Sequence, residues 1–102
     1  MTDRKHVRIE YRVRPDVDLD VVSGMIRDFV AGIASHDPSH DYTSYRDVKD
    51  PRHFVHVASF EPAALTALQT QAFFQTFGKQ LREYTVTDPE ATFLTPFAST
   101  RR

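Results

Sequence analysis

From His6 to Arg14 apolar and polar residues alternate without interruption: Val7, Ile9, Tyr11 and Val13 fall on one side, His6, Arg8, Glu10, Arg12 and Arg14 on the other. A period of two places successive side chains on opposite faces of a strand, so this pattern predicts a first strand over residues 5–14 with one apolar face. Pro15 and Asp16 break the alternation. Apolar positions then recur at steps of three and four, at Val22, Met25, Ile26, Phe29, Val30 and Ile33, which lines one side of a helix predicted over residues 17–35. Asp16, Asp18 and Asp20 crowd its start, where carboxylates cap free N–H groups and oppose the positive end of the helix dipole. His36-Asp37-Pro38-Ser39-His40 stops it, because the residue before a proline is pushed out of the helical region.

Tyr42, Thr43, Ser44 and Tyr45 have strand character, and Arg46-Asp47-Val48-Lys49-Asp50-Pro51 supplies a polar turn before the apolar run up to Phe60. These predict a hairpin of strands 40–47 and 52–60, with Arg46 and Asp47 stabilising its turn. Pro62 sits where a helix tolerates proline, in the first turn, and Leu65, Leu68, Phe74, Phe77 and Leu81 continue a helical stripe over residues 62–83, with a break near Thr70. A last strand over 90–98 contains Pro96, which cannot donate to a ladder and belongs at an edge or an end. The order strand, helix, strand, strand, helix, strand reads as one domain, 1–102, of the α+β class. Two helices cover one face of a four-stranded antiparallel sheet. In the second hairpin strand Phe54, His56, Ala58 and Phe60 face one way and His53, Val55, Val57 and Ser59 the other, so apolar groups also lie on the uncovered face. That face calls for a partner, and a second copy of the chain is the commonest solution.

Composition narrows the function. The chain has 102 residues, enough for one core, and thirteen Lys and Arg against fourteen Asp and Glu, interleaved along the sequence. Such a balance argues against nucleic acid or an anionic membrane as partner. The absence of cysteine removes disulfides, thiolate nucleophiles and Cys-type metal sites. Met1-Thr2-Asp3-Arg4-Lys5-His6 is charged and leads straight into a strand pattern, and no apolar run approaches the roughly 18 residues that span a bilayer. A cytoplasmic location is expected.

The turn Tyr45-Arg46-Asp47 running to Asp50-Pro51, the strand Phe54 to Phe60, the helix entry Ala63-Ala64-Leu65, and Phe74 with Phe77 together resemble the antibiotic biosynthesis monooxygenase family, over nearly the whole stretch from Val7 to Phe97. The resemblance implies a ferredoxin-like βαββαβ fold that pairs into a dimeric α+β barrel. It also implies oxygenation of small aromatic or quinol-type substrates without flavin or metal, so that no cofactor is expected. The sequence departs from the family pattern where many members carry a Trp at the end of the third strand, here Phe60, a Glu two residues earlier, here Ala58, and histidines on the second helix, here Leu68 and Phe73. The haem-degrading branch relies on Asn, Trp and His, and this chain contains neither Asn nor Trp.

Chemistry therefore falls to the histidines His6, His36, His40, His53 and His56, whose ordinary pKa of about 6.5 suits a base that ionises a quinol. His56 shares a strand face with Phe54, Ala58 and Phe60 and is the candidate catalytic base; a strand histidine satisfied by a neighbour is the bland alternative. His40, Tyr42, Phe60 and Phe73 are candidate pocket residues. His53 and His56 lie on opposite faces of one strand. His36 and His40 are separated by the helix-ending Pro38, so no metal site is expected. A homodimer binding a small hydrophobic or aromatic molecule without catalysis stays open beside the enzyme.

Overall fold

The computed structural model describes residues 3–100. Its elements are β1 (Lys5–Arg12), α1 (Leu19–His36), β2 (Asp41–Arg46), β3 (His53–Phe60), α2 (Pro62–Gln69), α3 (Ala72–Tyr84) and β4 (Glu90–Leu94). The strands form a four-stranded sheet in the order β2-β3-β1-β4. Every neighbouring pair is antiparallel, which is the ferredoxin-like arrangement. The register sets Val7 against Ala58, Ile9 against His56 and Tyr11 against Phe54, and Tyr42 against Ala58 and Ser44 against His56. Because side chains alternate, those residues share the face on which the helices pack.

The differences from the sequence expectation have local causes. α1 starts at Leu19 because Asp18 is its N-cap, accepting the Asp20 N–H at 2.9 Å. It ends at His36, where Asp37 turns extended ahead of Pro38. The single long helix expected over 62–83 is two helices: Thr70 donates back to Ala67, and Gln71 adopts an extended conformation as the N-cap of α3. β4 ends at Leu94, since the residues around Pro96 cannot extend the ladder to 98. Val13 and Arg14 leave β1 and clip to the end of α3. Val13 bridges Thr85, and Arg14 N–H donates to the Tyr84 carbonyl at 2.9 Å.

The core lies between the sheet and α1, α2 and α3: Val7, Tyr11, Val13, Phe54, Ala58 and Phe60 from the sheet side meet Val22, Ile26, Phe29, Ile33, Leu68, Phe77 and Leu81. Phe29 is its aromatic centre, stacked on Phe77 at 3.8 Å between centroids and edge-on to Tyr42 at 5.6 Å. At one end of the sheet Arg4 ties three segments together. Its guanidinium donates to Ser59 Oγ and the Ser59 carbonyl, to the Ser39 carbonyl at 2.7 Å, and to Glu61. Among the described residues no helix is long and apolar enough to cross a membrane.

Candidate functional site

His56 stands in the middle of β3, on the face covered by helices, and is only 1 % exposed. Neighbouring strands bring a tyrosine to each side of its ring. Tyr11 Oη lies 2.8 Å from Nε2 and Tyr42 Oη lies 2.6 Å from Nδ1. Both tyrosine rings meet the imidazole edge-on, at 5.2 and 5.4 Å between centroids. Burial pushes the pKa of His56 down to about 4, because a charged ring would lose its hydration with no carboxylate in compensation. Burial likewise holds both tyrosine hydroxyls well above their ordinary value, for Tyr11 with the proximity of Tyr42 adding to it. At neutral pH the triad is uncharged.

A neutral imidazole has one N–H and one acceptor nitrogen, so one tyrosine donates to the ring and the other accepts from it. Tyr11 is 4 % exposed, and among the described residues its hydroxyl has no hydrogen-bond partner but His56. Were it to accept, its own proton would be stranded in the core at a cost of about 1–3 kcal/mol. The resting polarity therefore runs from the Tyr11 hydroxyl to His56 Nε2, and from His56 Nδ1–H to the Tyr42 oxygen. The proton left without a protein partner is that of Tyr42.

Tyr42 is also the member of the triad that reaches an open cavity. A groove of about 650 Å³ runs between α1 and β2, lined by Ser23, Ile26, Arg27, Val30, Ala31, Ala34, Tyr42, Thr43, Ser44, Arg46 and Phe54. Its floor is apolar and its rim polar, the usual make-up of a small-molecule site. A larger cleft of about 870 Å³, at the start of β1 beside α2 and the segment after β4, holds Arg4, Lys5, His6 and Phe93 and does not touch the triad.

The other sequence candidates are dispersed. Phe60 is buried in the core. Phe73 lines a separate cleft of about 310 Å³ between α1 and α3. His40 lies just before β2 but faces away from the groove: its ring stacks on His36 at 5.2 Å and meets the edge of Phe60. The turn through Pro38 thus brings His36 and His40 together without a helix, with His36 Nδ1 2.9 Å from His40 Nε2. Desolvation lowers the pKa of His40, outweighing Asp37 nearby. His53 lies on the open face between Asp47 at 2.9 Å and Glu10 at 2.6 Å, which raise its pKa. Among the described residues no group of three or more His, Asp or Glu could hold a metal ion. Arg46 does not serve the hairpin turn as expected. Asp47 does, accepting from Lys49 N–H and pairing with His53, while Arg46 lines the groove. Arg27 and Arg46, which the sequence reading did not single out as pocket residues, both line the groove; for Arg46 the available signal was a cation at the inward-facing end of a strand, two residues beyond Ser44.

No family model matches the chain, and no curated protein matches it. Solved structures do. An antibiotic biosynthesis monooxygenase superposes with a TM-score of 0.80 at 21% identity, covering 92% of this chain and 99% of that one. The cofactor-independent oxygenase SnoaB from Streptomyces nogalater gives a TM-score of 0.80 at 15% identity, over 98% and 99%. A conserved protein from Methanosarcina mazei gives 0.79 at 13% identity, over 89% and 90%. From its first strand to its last, the chain has the fold of the antibiotic biosynthesis monooxygenase structures.

Proposed function

We propose that the chain is a cofactor-independent monooxygenase of a small aromatic or quinol-type substrate bound in the α1–β2 groove, working as a homodimer. The observation that carries this is the Tyr11–His56–Tyr42 triad, a titratable group enclosed in the core whose partner Tyr42 lines a cavity. The shared fold with cofactor-independent SnoaB supports it.

His56 has no open path to a ligand, so it is the base only by way of Tyr42. The substrate hydroxyl hands its proton to Tyr42 Oη as Tyr42 passes its own to His56 Nδ1. This requires the reversed polarity, with Nε2–H turned to Tyr11, at the cost of about 1–3 kcal/mol estimated for an unpaired Tyr11 hydroxyl. The ionised substrate then gives an electron to dioxygen. For an anthrone-type methylene, recombination at carbon forms a peroxide that loses water to leave a carbonyl: one oxygen atom enters the product, the other leaves as water, and the substrate supplies all four electrons. The protein contributes a proton acceptor, orientation and a partly dry groove.

Oxygen uptake with metal-free protein and a panel of anthrones, naphthoquinols and catechols tests this, with products identified by mass. Uptake with one oxygen atom incorporated, lost in both His56→Ala and Tyr42→Phe, is the expected result. Turnover that survives His56→Ala removes the base role. The shielding of His56 favours a second reading, a dimeric module that binds a small hydrophobic molecule without chemistry. A ligand that raises the melting temperature but is recovered unchanged after aerobic incubation selects that reading.

A further inference from the structure

We infer that the α1–β2 groove selects a small aromatic molecule bearing a carboxylate, held by Arg27 and Arg46; this rests on the groove being the substrate site proposed above. β1 and β2 both run antiparallel to β3 and hence parallel to each other. α1 therefore returns antiparallel to β2, and its first half lies beside the end of that strand. Arg27, one turn beyond Ser23, and Arg46, the last residue of β2, both line the groove, with Tyr42 nearer the start of that strand.

Of the other described arginines all but Arg82, which stands on α3 away from the groove, have side-chain partners. Arg4 pairs with Glu61, Arg8 with Glu10, Arg12 with Asp50 and Arg14 with Asp16, and Arg52 donates to the carbonyls of Arg14 and Val17. The side chains of Arg27 and Arg46 have no hydrogen bond or ion pair to any described residue, and no acidic side chain lines the groove. Two guanidinium groups without an acidic partner on one groove are complemented by an anion; their planar forks match a carboxylate in particular. Between them and Tyr42 lies an apolar floor of Ile26, Val30 and Phe54. Four residues of strand separate Tyr42 from Arg46, roughly 13 Å, which suits fused rings with an acid at one end and a hydroxyl toward Tyr42.

The test is a fluorescence titration with a matched pair of probes, 6-hydroxy-2-naphthoate and neutral 2-naphthol, on the wild-type protein and on Arg27→Gln, Arg46→Gln and the double variant. The wild type is expected to prefer the naphthoate by about tenfold, the preference falling with added salt, and the double variant to show a ratio near one. Each single variant retains part of the preference. Equal affinities in the wild type, or a preference that survives in the double variant, overturn the carboxylate assignment while leaving the groove as a site. Failure of both probes to bind the wild type overturns the groove as an aromatic site and the inference with it.

Discussion

His56 shows how one residue couples strand register to acid–base behaviour. Register puts Tyr11 and Tyr42 on its flanks, the helices above exclude water, and the imidazole is held neutral. A pKa lowered from 6.5 in the unfolded chain to about 4 in the fold means that the unfolded state binds the extra proton first as pH falls. Stability from this group is complete above 6.5 and is lost progressively down to about 4, by about 3 kcal/mol in all. His40, lowered in the same direction, adds to this loss; His53, raised, works oppositely and stabilises most below 6.5. Urea unfolding of wild type and His56→Gln at a series of pH values isolates the His56 contribution. The difference between the two curves is expected to shrink between pH 6.5 and 4, and a constant difference counts against the buried neutral ring. If His56 is the base, the acid limb of kcat/KM also falls near 4 instead of near 6.5.

The helices differ in how closely they approach one another, and glycine marks where. A Cβ on Gly32 of α1 would stand 2.8 Å from Cε2 of Phe73 on α3, whereas one on Gly24 or Gly78 would meet nothing within 4 Å. Alanine favours a helix over glycine by up to about 1 kcal/mol. Gly24→Ala and Gly78→Ala are therefore expected to raise stability by about 0.5–1 kcal/mol each. Gly32→Ala is expected to lower it, because Phe73 must leave its place against Phe29. Thermal melts of the three variants check the contrast, and equal gains at all three positions would show that α1 and α3 have room to separate. The α2–α3 break is a second case: apolar steps at Leu65, Leu68, Phe74 and Phe77 suit one helix, yet the chain bends at Thr70–Gln71. Bending lets Leu68 and Phe77 both reach the same core.

The assembled sheet leaves its second face open. Tyr45 is 56% exposed, Val57 45% and Leu94 48%. These rings and branched chains sit among the Arg8–Glu10 and His53–Glu10–Asp47 contacts. A face of this mixed character is what two copies related by a two-fold axis can share. Light scattering at micromolar concentration is expected to give a dimer, and Val57→Lys to shift it toward monomer, since a desolvated lysine opposes association. A stable wild-type monomer would set the barrel aside without touching the groove, whose walls, α1 and β2, come from one chain.

Periodicity and local stop signals determined much of this molecule: the strand faces of Val7 to Val13 and Phe54 to Phe60, the stripe of α1 and its stop at Pro38, the acidic start of α1 at Asp16, Asp18 and Asp20, and the four-stranded α+β order. These are local properties, written in the alternation of a strand and the turn of a helix. Tertiary structure decided the rest. The tyrosine on each flank of His56 depends on the register of three strands, the meeting of His36 and His40 on a turn, and the freedom of Arg27 and Arg46 on which acids stand near them once folded. No spacing in the chain encodes such distances, because they are set by which elements pack together and not by the order in which residues follow one another.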